Sequence, residues 1–466
     1  MVTLLLFAST SSTAWATNFR LNTSTHVRGY VLPGANDTSH HVPFYELIGL
    51  RADDLGVQGL SLVASLWGQV HLNDVPLDEQ RANGDVNVFL LSYRAHEKGM
   101  FRGLQLRVGR QFVSAGPSVY EQLDGGYVHY RSPFGLDVTA FGGVPTGIRF
   151  LRQSWPTNAN DYKYGGNWVV GGRVGYRFKE FVGAGVSFRH KAYDAHTAFQ
   201  ELGWDAAVHP NSKLTIFSDG TFSMIAERLK EARGGVRFDL RRNLSLMAGY
   251  RFSEPDLFIP RTSIFSIFSD IKHQEAFLES YWSPKRWLSL SAEAGGRYYG
   301  ETCNLKEYGG QSCDDGQLEL RGLLRADARF GLERRYRVSA LVERVGAPDG
   351  GYIRGRVGGS ARLVRGLSAT VDVDLFYLDA RDEVASYVIA DDSRLSFTGA
   401  AYLGYAIRDN LTLMAGGQAG VTPLLAQMGT FMVRLSWDID SNPTGGPVRV
   451  SRSASPSFAY LPGGAL

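Results

Sequence analysis

The stretch LELRGLLRADARF, residues 318–330, alternates with a period of two. Leu318, Leu320, Gly322, Leu324, Ala326, Ala328 and Phe330 fall on one face, and Glu319, Arg321, Leu323, Arg325, Asp327 and Arg329 on the other. A helix would scatter the large apolar residues around its circumference, and Gly322 would weaken it, so the stretch reads as a strand. One face is oily and the other carries three arginines.

The pattern recurs. Ile353, Gly355, Val357, Gly359, Ala361 and Leu363 oppose Arg354, Arg356, Ser360 and Arg362; Leu367, Ala369, Val371, Val373, Leu375 and Tyr377 oppose Ser368, Thr370, Asp372 and Asp374. Phe431, Val433, Leu435, Trp437 and Ile439 oppose Arg434, Ser436 and Asp438. Such runs exceed the five or six residues usual for a soluble strand. They match the roughly 9–11 residues that cross a bilayer at a tilt. Walking the chain gives about 22 candidate strands. We therefore expect an all-β fold, a transmembrane antiparallel up-and-down β-barrel of 18–22 strands, with 22 the best count. A soluble all-β protein would need a second sheet over each apolar face, and the sequence shows no break into sandwich halves or blades.

The links between runs supply an independent test. Tight links such as RSPFG, RFKEF, LRRNL, SPKRW, GLERR, LVRGL and IRDNL alternate with longer ones at 73–85, 113–124, 144–166, 253–271, 300–317 and 379–393. Short turns on one side and long loops on the other are the habit of outer-membrane barrels, and this predicts both ends of the barrel at the periplasmic side. Tyr281, Trp282 and Trp287 flank one such turn and Trp437 sits late in the last run, as interfacial aromatic girdles require. The expected location is the bacterial outer membrane.

The N-terminus, MVTLLLFASTSSTAWATNF, has a short apolar core followed by Ala14-Trp15-Ala16. It lacks a basic leader but otherwise resembles a secretory signal, so residues 1–16 are expected to be removed. Residues 17–440 are assigned to the barrel. The Pro-, Gly- and Ser-rich stretch 441–466 is assigned to a disordered tail. No run of about 20 apolar residues could form a spanning helix. The two cysteines, Cys303 and Cys313, share one polar, glycine-containing link and are expected to form a disulfide in an oxidising compartment. Two thiols are too few for a structural zinc site, and we expect neither a metal nor a cofactor.

The net charge is +3, from 49 basic and 46 acidic residues, which offers no polyanion-binding tail and no nucleic-acid partner. Forty of the basic residues are arginine. If the apolar faces meet lipid, the opposite faces line the interior, which is too polar to be a packed core. There Arg173, Arg177, Arg189, Lys191, Arg321, Arg325, Arg329, Arg354, Arg356 and Arg362 are candidate contacts for a permeant. The competing reading is a ladder of arginine–carboxylate pairs across neighbouring strands. Arg173, Arg177, Arg189 and Lys191 are the stronger candidates, because their two strands carry no inward acid of their own.

So wide a barrel leaves a hole unless something narrows it. The link 144–166 brings Arg149, Arg152, Trp155, Tyr162 and Lys163, a mixture of bases and aromatics that suits anionic sugars, and 253–272 is unusually apolar for a loop. These are the candidate constriction loops.

The segment 104–143, LQLRVGRQFVSAGPSVYEQLDGGYVHYRSPFGLDVTAFGG, resembles a segment of porin-type and alginate-export-type outer-membrane barrels. In those barrels a strand ending in Gly-Arg-Gln leads through a loop to an Asp-Gly strand, and Gly109, Arg110, Gln111, Asp124 and Gly125 match. The resemblance implies a translocation pore and, through the alginate-export members, export of a saccharide polymer. A diffusion porin for small polar or anionic solutes, and a structural or adhesive barrel that does not conduct, are the alternatives. The expected partners are outer-membrane lipids, the barrel-assembly machinery and periplasmic polysaccharide-export components. None of the local motifs of serine hydrolases, zinc proteases or nucleotide-binding loops occurs, so we expect no enzyme.

Overall fold

The structure is a computed structural model. It describes residues 18–441 except 34–37, 74, 76–80, 96–100, 147–165, 194–195, 255–271, 301, 306–310, 315, 348–349, 365, 381–393 and 423–424. Twenty-two long strands make one antiparallel sheet. In chain order the first eight are β1 (Asn18–Pro33), β2 (Pro43–Asp53), β3 (Leu60–His71), β4 (Ala82–Arg94), β5 (Leu104–Ser114), β6 (Tyr120–Arg131), β7 (Leu136–Pro145) and β8 (Trp168–Phe178). The next seven are β9 (Val182–Tyr193), β10 (His196–Asn211), β11 (Leu214–Ser223), β12 (Arg228–Arg241), β13 (Leu244–Ser253), β14 (His273–Lys285) and β15 (Leu288–Tyr299). The last seven are β16 (Gln317–Phe330), β17 (Tyr336–Ala347), β18 (Gly350–Val364), β19 (Leu367–Ala380), β20 (Leu395–Arg408), β21 (Leu411–Thr422) and β22 (Leu425–Asp440).

Each strand pairs with its neighbours in the chain, and β1 also pairs with β22, from Arg20 opposite Asp440 to Tyr30 opposite Thr430. The sheet is therefore closed, the condition under which strands can cross lipid without stranding backbone N–H and C=O groups. Two short additions lie outside the barrel count. Thr38–His41 folds back onto the end of β1, and Thr302–Leu305 pairs with Gln311–Asp314 in the link after β15. That hairpin sets the backbone of Cys303 opposite Cys313, the placement a disulfide between them would need.

The alternation read from sequence has the expected sense. Leu318, Leu320 and Leu324 are 69%, 65% and 62% exposed, whereas Val113, Leu123 and Val169 on the inner wall are at most 1% exposed. Large apolar side chains thus point outward, which is stable only in lipid. Aromatics cluster at both margins of this apolar band. Phe134, Phe178, Phe181, Trp282, Trp287, Tyr405 and Trp437 are exposed at one margin, and Tyr120, Trp168, Tyr298, Tyr377 and Phe397 at the other.

The alternation of link lengths holds in part. At the end where β1 starts and β22 finishes, no link exceeds the nine residues of 95–103, and several, such as 212–213 and 242–243, have two. This turn end is the periplasmic side by the usual rule. At the opposite loop end, 146–167, 254–272, 300–316 and 381–394 are long, but 194–195, 224–227, 348–349 and 423–424 are as short as turns. The expected long link at 113–124 is only 115–119, because β5 continues through Val113 and β6 already begins at Tyr120. The one expected at 73–85 shortens to 72–81 for the same reason.

A charge placed on the lipid face should be costly in proportion to depth. Leu324→Arg, at the middle of β16, is expected to destabilise the folded barrel by about 2–4 kcal/mol, whereas Ser339→Arg, on the inner face, should change stability little. Unfolding titrations in lipid vesicles would check this, and equal effects would mean that the faces are assigned the wrong way round.

Candidate functional site: the inner wall of the barrel

The inner wall is built by the alternate residues of each strand, and their charges gather into patches. On β8 and β9, Arg173 makes two hydrogen bonds to Asp205 of β10, at 2.9 and 2.6 Å, and lies 3.5 Å from Asp137 of β7. Arg189 reaches Glu121 of β6 and Glu201 of β10, Lys191 donates to Glu121 at 2.9 Å, and Lys230 of β12 donates to Glu201 at 2.7 Å. Four cations thus meet four carboxylates. The absence of acid holds for β8 and β9 themselves, but β6, β7 and β10 supply it, so the expected acid-free anion path at Arg173, Arg189 and Lys191 is a neutralised network. Long side chains on a concave wall reach across an intervening strand, which a reading strand by strand cannot anticipate.

A second patch surrounds Glu275 of β14, which is fully buried. Arg251, Arg297 and Arg321 converge on it at 3.4, 3.0 and 3.2 Å, and Arg321 also holds Glu293. Arg354 pairs with Asp374, and Arg356 pairs with Asp372 at 2.9 Å. Charge-assisted, partly shielded pairs of this kind are strong and directional. They also cancel much of the field a permeant would feel.

Three of the ten candidate permeant contacts stand apart. Arg177, Arg329 and Arg362 have no ion pair among the described residues. All three lie in the last turn-end residues of their strands, β8, β16 and β18. Arg325 lies nearby, but donates to Asp327 at 2.7 Å, and Asp327 is also 3.3 Å from Arg337. Among the ten candidates, the cations without an ion pair therefore all lie at the turn-end mouth.

The inner wall is also narrowed from within. Residues 115–119 close a tight turn, with the Ala115 N–H donating to the Val119 carbonyl at 3.2 Å, and this turn folds against the wall. Ser118 and Ser187 of β9 share a 2.7 Å hydrogen bond. Val113, Ala115, Val119, Leu123, Tyr127, Phe141 and Val169 pack beneath it as one buried apolar cluster. The turn fits because β10 has no side chain there. A Cβ on Gly203 would lie 2.5 Å from the Ser187 hydroxyl and 2.9 Å from the Ser118 backbone nitrogen. Short apolar Val113 and Val119, flanking Gly-Pro, were the available sequence signal; a hydrophobic turn has no reason to face water.

The matched motif of β5 and β6 is a single linked unit. Gly109 has φ +120°, and a Cβ there would meet the Phe89 carbonyl at 2.1 Å, so only glycine fits. Arg110 next to it grips Asp124 with two bonds of 2.7 and 2.8 Å and reaches Asp85 at 3.0 Å. Gln111 donates to the Gly125 carbonyl at 3.2 Å. These residues brace the wall beside the inward turn rather than face a permeant as free cations.

The candidate constriction residues Arg149, Arg152, Trp155, Tyr162 and Lys163, and the link 255–271, lie outside the described residues. Among the described residues no group of His, Cys, Asp and Glu could hold a metal ion. Glu121, Asp137, Glu201, Asp205 and Lys230 are the partners that the sequence reading missed.

Two substitutions separate structure from permeation. Gly203→Leu is expected to push residues 115–119 off the wall and change single-channel conductance while the barrel stays folded, as judged by heat-modifiable migration; unchanged conductance in a folded variant would remove the turn from the pore's narrow point. Arg189→Gln is expected to cost about 1–3 kcal/mol by leaving Glu121 and Glu201 short of a partner, whereas Arg177→Gln should leave the denaturation midpoint unaltered. Equal midpoints for the two variants would contradict the pairing.

No family model and no curated relative matches the chain. Among solved structures it is similar to a mutant of the ferric enterobactin receptor PfeA from Pseudomonas aeruginosa, with a TM-score of 0.55 and 11% identity, over 90% of this chain and 80% of that one. It is similar also to the siderophore receptor PirA from Acinetobacter baumannii, with a TM-score of 0.54 and 8% identity, again over 90% and 80%. The outer membrane protein OpdK from Pseudomonas aeruginosa matches over 91% of this chain and 98% of that one, at a TM-score of 0.41 and 10% identity. At such identities the likeness to the two receptors is one of fold. Together with the closed sheet, the outward apolar band and the polar, charged inner wall, it makes the protein a 22-strand β-barrel of the bacterial outer membrane.

Proposed function

We propose that the protein is a translocation pore for anionic saccharides, with export of a saccharide polymer as its role. The observation that carries this reading is the distribution of unpaired charge. Arg177, Arg329 and Arg362 gather at the turn end, while the inner cations farther along β8, β9, β16 and β18 are matched by carboxylates. A positive mouth raises the local concentration of anions at the end where an exported chain enters. Beyond it, alternating guanidinium and carboxylate groups offer hydrogen bonds to hydroxyls without a deep anion trap, and conduction needs sites weak enough to leave. The resemblance of the 104–143 segment to alginate-export-type barrels points the same way, and periplasmic polysaccharide-export components are the partners that this role implies.

A second reading, a diffusion porin for small polar or anionic solutes, is favoured by residues 115–119, which narrow the lumen from the inside. The two readings separate on the cell surface. Deleting the gene is expected to trap polymer in the periplasm and strip it from the surface; unchanged surface polysaccharide together with slower uptake of small acidic sugars would establish the porin instead.

Either reading predicts an anion preference in planar bilayers. Reversal potentials under a salt gradient should favour the anion, and the preference should fall as salt rises, because exposed charges are screened over about 8–10 Å at physiological ionic strength. A cation-selective or non-conducting barrel would overturn both.

A further inference from the structure

At the turn end, the hairpin joining β14 to β15 and the link joining β16 to β17 enclose a groove of about 480 Å³. Its lining includes Lys285, Arg286, Arg325, Arg329, Arg334 and Arg337, and its only carboxylate is that of Asp327. Asp327 is occupied by Arg325 at 2.7 Å and Arg337 at 3.3 Å. That leaves Lys285, Arg286, Arg329 and Arg334, none of which has an ion pair among the described residues, around one concave surface. Glu333, in the adjoining turn, does not line the groove.

Four like charges held close together repel one another, so the fold must keep them there against that cost. Two features do so. The Arg329 N–H donates to the Trp287 carbonyl at 2.7 Å, which ties the two links together. In the turn after β16, Glu333 and Arg334 both have φ +55°, a left-handed conformation uncommon for residues with side chains, following Gly331 at φ +83°. Observed strain of this kind is a reason to look for function. Here the strained turn carries Arg334 onto the groove, and Phe330 and Tyr336, outside the groove, stack where the two strands enter that turn, with ring centres 5.6 Å apart. Tyr281 and Trp287 add aromatic surface beside the cations, and Ser289 and Ser291 add hydroxyls.

We propose that this groove is an anion-binding station at the periplasmic mouth, which takes the carboxylate groups of an acidic oligosaccharide before it enters the lumen. Arg329 and Arg334 supply planar donors for a carboxylate, Lys285 and Arg286 neutralise the next acidic residue along the chain, and the aromatic edges accept sugar faces. The proposal deepens the saccharide-pore reading and rests on it for the identity of the ligand.

The test uses the full-length protein in planar bilayers, with oligogalacturonate as the probe and a neutral malto-oligosaccharide of equal length as the control. Oligogalacturonate added to the turn-end side is expected to interrupt the current at concentrations at least tenfold lower than from the loop-end side, and the neutral sugar should show no such asymmetry. The quadruple variant Lys285→Gln, Arg286→Gln, Arg329→Gln, Arg334→Gln should lose the asymmetry while keeping heat-modifiable migration, and its anion preference should fall, because Arg329 belongs to the positive mouth. Arg329→Lys and Arg334→Lys together should restore part of it, since charge remains and the planar donors do not. Binding of the same probe to detergent-solubilised protein is measured in parallel. A barrel that conducts but shows neither asymmetric block nor loss of binding in the quadruple variant overturns the station and leaves the pore reading standing. A barrel that does not conduct, yet binds oligogalacturonate through these four residues, removes the pore reading and keeps the station. If inorganic phosphate competes as well as oligogalacturonate, the groove is a general anion site and the saccharide assignment fails.

Discussion

Hydrocarbon offers no hydrogen bonds, and every backbone group that crosses it must be satisfied within the protein. The β1–β22 seam is where this protein meets that demand. Eleven consecutive residue pairs, from Arg20 opposite Asp440 to Tyr30 opposite Thr430, turn an open sheet into a ring. Side chains reinforce the join on the inner face. Arg20 reaches Asp440 at 3.0 Å, Asn22 bonds Asp438, and Arg434 donates to Ser24 and Ser436 at 2.7 and 3.0 Å. Closure then fixes which face is out, and the period-two pattern does the rest. Leucine and valine go to lipid because arginine and glutamate on the alternate positions cannot.

Inside, the same logic runs in reverse. A charged wall carries a desolvation cost wherever it is shielded, and arginine–carboxylate networks offset that cost. Glu275 shows how far this goes, being fully buried and met by three guanidinium groups. The networks stiffen the wall and quiet its field. Of the ten candidate permeant contacts, the three left without an ion pair among the described residues, Arg177, Arg329 and Arg362, lie at the turn-end rim, where water is plentiful.

The fold was legible because its signal is local. Alternation in residues 318–330, 353–363 and 431–439 survives unchanged in the exposures of Leu318, Ile353 and Phe431, and the count of 22 strands follows from the run of turns between such segments. The inner wall was legible only halfway. Which residues face inward can be read from parity, but whether Arg173 is free depends on Asp205, two strands away in the barrel and 32 residues away in sequence. That contact exists only once the sheet has curved. Arg177 lies four residues from Arg173 on the same face and has the opposite status, and nothing in its own neighbourhood of sequence says so. The inward turn at 115–119 was hidden for a related reason: its packing surface, Phe141, Val169 and Gly203, is assembled from three later strands.

At the seam, the Phe19 N–H donates to the Ser441 hydroxyl and the Ser441 N–H donates to the Phe19 carbonyl, at 2.8 and 2.9 Å. Residues 19 and 441 therefore meet like any two residues across a turn, and the ring has no geometrically privileged starting strand. A chain rejoined there and reopened at a two-residue link such as 212–213 or 242–243 would keep every ladder of the closed sheet while exchanging which pair of edges waits unpaired during assembly. Circular permutation would thus separate the order in which the strands are made from the architecture they reach, and would show whether the path into the membrane depends on β1 and β22 being the last edges to meet.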